Sequence, residues 1–142
     1  MIAALVVSPQ RRRVRAYFRL YPDANLNGER VESFLRQLLR TLRVPVELIW
    51  DRLNVHCGEP VKSFLARRKQ RLRMHLLPAY APELNPVELI WSYAKANPMA
   101  NFAPRELSEL VDRTEATTRE IESNERLLRS FLQHSPLSLR LR

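Results

Sequence analysis

At 142 residues the chain is one domain by length, long enough to bury roughly two-thirds of its unfolded surface, and 45% apolar content supplies a core. Lys and Arg outnumber Asp and Glu by 24 to 15, and 21 of the 24 are arginine, which favours a polyanionic partner because guanidinium forks match phosphate oxygens. The single cysteine, Cys57, excludes an internal disulfide and suits a reducing cytoplasm; no apolar stretch reaches membrane-span length, and residues 2–7 are too short and wrongly flanked for a secretory leader.

Residues 2–7 (IAALVV) are a continuous apolar run, the pattern of a strand covered on both faces, broken by Ser8-Pro9-Gln10. From Arg13 to Leu20, apolar Val14, Ala16, Phe18 and Leu20 alternate with Arg13, Arg15, Tyr17 and Arg19, which predicts a strand with one wet face and a hairpin with the first. After a polar turn ending at Gly28, Val31, Phe34, Leu35, Leu38, Leu39 and Leu42 fall at helical spacing, and Pro45 stops the helix. VELIW (46–50) reads as a strand ending at Asp51, a loop leads to a short helix from Pro60 to about Lys69, and residues 72–77 form the next strand. A loop with Pro78 and Pro82 leads to a helix beginning at Pro86. A further helix opens near Pro104 and carries Leu107, Leu110, Val111 and Ile121. Glu125 to Leu132 is the last helix, so residues 1–134 make the domain and 135–142 a frayed tail. The order β-β-α-β-α-β-α-α-α predicts an α/β fold, a mixed sheet with flanking helices.

Two carboxylates stand out. Asp51 sits at the carboxyl end of a strand, where open α/β sheets present functional groups, although taken alone a loop-initiating Asx turn or a cap is the favoured reading. Glu88 falls at the third position of a helix with Asn85 as N-cap and Pro86 at the first turn, the usual place of a capping-box glutamate. Together they also match what a metal-dependent phosphodiester site needs, because hard Mg²⁺ or Mn²⁺ ions take carboxylate oxygens clamped a few ångströms apart. Two basic clusters, Arg11, Arg12, Arg13 and Arg15, then Arg67, Arg68, Lys69, Arg71 and Arg73, are either solvated faces or tracks for DNA phosphates. Trp50 and Trp91 beside the acidic motifs read as core, and Cys57 lacks the company of a metal ligand.

WDRLNVH (50–56) followed by LLPAYAPELNPVELIWSYAK (76–95) resembles the second and third acidic motifs of mariner-like insertion-sequence transposases, DDE enzymes with an RNase H-like fold. The resemblance implies that Asp51 and Glu88 are catalytic ligands of Mg²⁺ or Mn²⁺, that His56 and Asn85 are accessory, and that the substrate is DNA. The family's first catalytic aspartate ends the central strand of the sheet. The resemblance places that strand before Ile2, and neither Asp23 nor Asp112 follows a strand on the correct edge. The expectation is therefore the C-terminal part of a transposase catalytic domain, inactive alone and acting at the nucleoid in the cytoplasm. Its expected partners are DNA, the N-terminal part of a split transposase and further copies of itself. A non-catalytic basic DNA-binding remnant, or a structural α/β module whose two carboxylates only cap, are the alternatives.

Overall fold

Helix caps and the two hydrophobic periods account for where each element begins and ends in the computed structural model, which describes residues 1–137 and 140–142. In chain order these are β1 (Ile2–Val7), β2 (Val14–Arg19), α1 (Gly28–Leu42), β3 (Val46–Trp50), α2 (Glu59–Ala66), β4 (Leu72–Leu76), α3 (Pro86–Ala96), α4 (Leu107–Ser123) and α5 (Glu125–His134), with 3-10 turns at Asn54–His56 and Pro82–Leu84. The fold class is mixed α/β. Its strands form two small sheets, β1 with β2 and β3 with β4, and no strand among the described residues joins the two pairs. The chain divides into two units, the first comprising Met1, 3–22 and 83–142, the second Ile2 and 23–82.

In the first unit the β1–β2 turn is closed by Ser8, whose hydroxyl accepts from the N–H groups of Arg12 and Arg13 at 3.2 and 3.0 Å, while Arg11 takes a left-handed φ of 58°. The predicted alternation holds: Val14 and Ala16 are buried and Arg13, Arg15 and Arg19 are exposed. Val14 and Ala16 pack with Ile90 and Ala94 of α3, Ile121 of α4, and Leu128, Phe131 and Leu132 of α5. Edge-to-face contacts of Phe18 with Trp91 and Tyr93 with Phe131 extend this core. Within the segment expected to fray, the Ser135 hydroxyl donates to the Leu84 carbonyl and the Arg142 N–H to the Arg11 carbonyl. Residues 138 and 139 of that segment lie outside the described residues.

Two carboxylates shield β2. Val14 N–H donates to Glu125 Oε1 at 3.1 Å, and Phe18 N–H bonds to Glu122, so these donors are satisfied by charged side chains that also discourage a further strand. Burial raises the Glu122 carboxyl above the ordinary carboxylate value, and the bond from Phe18 only partly opposes the rise. A raised folded value means that the folded state favours the protonated form. Stability is therefore lost as pH climbs through the window between the unfolded and folded values. Glu122→Gln keeps an acceptor for Phe18 without the charge. It is expected to raise the unfolding midpoint near neutral pH and to have no effect in acid, where both side chains are neutral; a pH-independent change would remove the ionisation argument.

Thr117 of α4 is 3% exposed, and its hydroxyl has no hydrogen-bond partner among the described residues. An unsatisfied buried hydroxyl costs about 1–3 kcal/mol, so Thr117→Val is expected to stabilise the chain by about 1 kcal/mol, read as a higher urea midpoint at unchanged slope.

In the second unit Asn27 caps α1 by accepting from Arg30 N–H at 3.0 Å, and Arg43 ends the helix in a left-handed conformation, its N–H on the Leu39 carbonyl, before Pro45. The predicted apolar stripe is the buried one: Val31, Phe34, Leu35, Leu38 and Leu39. β3 and β4 pair in parallel from Val46 opposite Leu72 to Trp50 opposite Leu76, joined by α2, whose Val61 and Phe64 are completely buried.

Candidate active site

Asp51 follows the last residue of β3, and the strand end is fixed by Leu77 N–H on the Trp50 carbonyl at 2.8 Å and by Arg52 Nε on the Leu77 carbonyl at 3.0 Å. The half-buried Asp51 carboxylate uses one oxygen twice. Oδ1 accepts from Leu53 N–H at 3.1 Å, the Asx turn anticipated from sequence, and from His56 Nδ1 at 2.8 Å. A carboxylate only accepts, so Nδ1 carries the proton of that bond. His56 is 9% exposed and lies flat on Trp50, with ring centroids 4.2 Å apart and planes 3° from parallel. The bond and the stack together fix the His56 ring against the Asp51 carboxylate. The arrangement holds the carboxylate through Oδ1, and Oδ2 has no hydrogen bond among the described residues. Cys57, next in sequence, is partly buried.

Glu88 stands at the third position of α3. Asn85 caps the helix with its side-chain oxygen on Val87 N–H at 3.2 Å, and Pro86 occupies the first turn, where a missing N–H costs nothing. The reciprocal half of a capping box does not form. The Glu88 carboxylate is exposed and has no hydrogen bond or ion pair among the described residues. Asn85 thus does the capping, and the helix start needs no charge from Glu88 beyond its favourable place on the dipole.

Between β4 and α3 the backbone is stiff. Pro78 and Pro82 fix their φ angles, Pro82 opens a 3-10 turn, and between them Tyr80 adopts a left-handed φ of 60° with its side chain fully in solvent. A non-glycine residue in that region costs of order 1 kcal/mol or more, and such strain clusters at functional loops.

One basic cluster lies in each unit. Arg11, Arg12, Arg13 and Arg15 are exposed on and beside the hairpin turn, and Arg67, Lys69, Arg71 and Arg73 are exposed around the α2–β4 connection, with Arg68 half-buried. Arg73 is drawn toward Glu47 at 3.5 Å. Two basic residues outside both clusters, Arg36 and Arg40 on α1, face the same hollow as Arg68 and Arg71. Their spacing of four residues on one helix face was the sequence signal for them.

A family described as DDE superfamily endonuclease matches residues 8–111 through its sequence model, a span that contains Asp51, His56, Asn85 and Glu88. The chain belongs to that family. Membership in a DDE endonuclease family implies DNA as the substrate, and endonucleases of this family generally use divalent metal ions. No curated protein and no solved structure matches the chain. Among the described residues of this DDE-family chain, no three His, Cys, Asp or Glu side chains gather into a metal-holding group, and no helix is long and apolar enough to cross a membrane. The oxygen donors of Asp51, in the second unit, and of Glu88, in the first, each suit a hard cation in kind.

Proposed function

We propose that the chain is the C-terminal part of a mariner-like transposase catalytic domain, in which Asp51 and Glu88 are two of three acidic ligands for Mg²⁺ or Mn²⁺ in DNA strand cleavage and transfer. The observation that carries the reading is the idle Glu88 carboxylate. A glutamate at this helix position normally closes a capping box, and here it does not, although the Asn-Pro sequence before it is ordered as a cap. Asp51 supports the same reading, because one of its oxygens is doubly anchored and the other is not. Asp51 and Glu88 would be among the residues that hold the divalent ion, which would supply charge stabilisation at the scissile phosphate. His56 keeps Asp51 in one rotamer through its Nδ1–H bond and its stack on Trp50, and Asn85 and Pro86 fix the helix start that carries Glu88.

The third carboxylate comes from outside the described residues in this reading, on a strand that pairs with β1 and β3. The two-stranded sheets agree with that: among the described residues β1 and β3 each keep an edge without a strand partner, whereas on β2 the N–H groups of Val14 and Phe18 are met by Glu125 and Glu122. The test supplies the strand. Co-folding the chain with a polypeptide that carries an aspartate-ended apolar strand should produce Mg²⁺- or Mn²⁺-dependent cleavage of duplex DNA, where the chain alone cuts at background rate. Cleavage by the chain alone at the completed enzyme's rate would contradict the reading.

A further inference from the structure

Four arginines meet at one hollow in the second unit. Arg36 and Arg40 sit one turn apart on α1, Arg68 lies in the turn after α2, and Arg71 immediately precedes β4; with Leu39 they line a cavity of about 130 Å³. Small-molecule clefts run to about 300–1,000 Å³, so this hollow takes a single compact group. Three of its guanidinium groups are held in place. Arg68 and Arg36 lie over the completely buried ring of Phe64, 4.2 and 5.5 Å from its centroid, and Arg71 Nη2 donates to the Leu39 carbonyl at 3.1 Å. Arg40 has no hydrogen-bond or ion-pair partner among the described residues, and the carboxylate paired with the group is Glu32, on Arg36.

Like charges four residues apart on a helix repel, and gathering two more beside them adds to the cost. A face that needed only to be wet has no reason to assemble four arginines around one hollow. An anion in the hollow removes the repulsion, and fixed planar forks are the donors that suit a tetrahedral oxyanion.

We propose that this hollow binds a single phosphate group, supplied by the backbone of DNA. Lys62, Lys69 and Arg73 border the neighbouring depression between α2 and β4, so the positive surface continues past the pocket as a polymer requires. The site is separate from Asp51. Arg71 precedes Leu72, which pairs with Val46 at the start of β3, whereas Asp51 follows Trp50 at its end; five strand residues place roughly 16 Å between them. The pocket would hold DNA away from the acidic residues, and it stands or falls independently of their metal.

The test uses the full chain, a short labelled DNA duplex, and inorganic phosphate as a separate probe. Arg40→Gln and Arg68→Gln are compared with Arg126→Gln, which removes the same charge from an exposed position on α5. Each pocket change is expected to weaken duplex binding at low salt at least about threefold more than the control and to flatten the log–log salt dependence by about one. Millimolar phosphate should raise the thermal midpoint of the wild type and not that of Arg40→Gln. Duplex loss beyond the control assigns DNA as the source; loss of the phosphate shift alone keeps the oxyanion site and assigns it to free phosphate. Variants indistinguishable from Arg126→Gln in both measurements overturn the proposal.

Discussion

In an enzyme completed by the third acidic strand, Asp51→Asn and Glu88→Gln should each lower metal-dependent DNA cleavage by at least about a thousandfold. A metal ion's charge stabilisation at a phosphoryl oxygen is worth several kcal/mol, and each 1.36 kcal/mol is tenfold in rate. Neither change should disturb folding much. The asparagine of the first variant can still accept from Leu53 N–H and His56 Nδ1 in the geometry that Asp51 uses, and Glu88 makes no contact that glutamine would lose. The two readings of Glu88 therefore separate cleanly in one variant. Unchanged cleavage after Glu88→Gln would make the residue part of the helix start and nothing else, and the unformed capping box would need another explanation. Unchanged thermal midpoints beside lost cleavage would assign both carboxylates to the chemistry.

Phe64→Ala should be the most destabilising single change in the second unit, by about 3–5 kcal/mol, because the ring is completely buried and truncation leaves a cavity as well as lost transfer energy. Two arginines rest on that ring, so the loss should exceed what a ring in purely aliphatic surroundings would show. Phe64→Leu keeps most of the volume and should cost less than half as much. Urea unfolding with a probe in the second unit measures both, and a loss below about 1 kcal/mol for alanine would mean that the site collapses around the gap.

Much of this could be read from the chain. The hairpin alternation put Val14 and Ala16 inside, and the stripe from Val31 to Leu39 became the buried face of α1, because burial on one side of a regular element leaves its period in the sequence. The motif around Asn85 and Pro86 marked the start of α3 to the residue. Other features have no local signature. Asp51 fits both an Asx turn and a ligand position, and only the His56 bond shows how its oxygens are divided. Glu88 has the spacing of a capping box, and whether the side chain turns back to the backbone depends on rotamer and surroundings. The Arg36 and Arg40 hollow joins residues some thirty positions apart from Arg68 and Arg71, a contact fixed by the packing of α1 against the α2–β4 connection. Tyr80 in a left-handed conformation was also invisible, since sequence patterns assign such positions to glycine or asparagine.

The shared acidic site is tested most directly by an anomalous-difference map from crystals of the completed enzyme grown with Mn²⁺. The account predicts a peak at coordination distance, about 2.0–2.3 Å, from an Asp51 oxygen, with a Glu88 carboxylate oxygen on the same ion or on a second one about 4 Å away, and Oδ1 still held by His56. Density at neither residue, or Asp51 and Glu88 carboxylates more than about 10 Å apart with no ion between them, would contradict it.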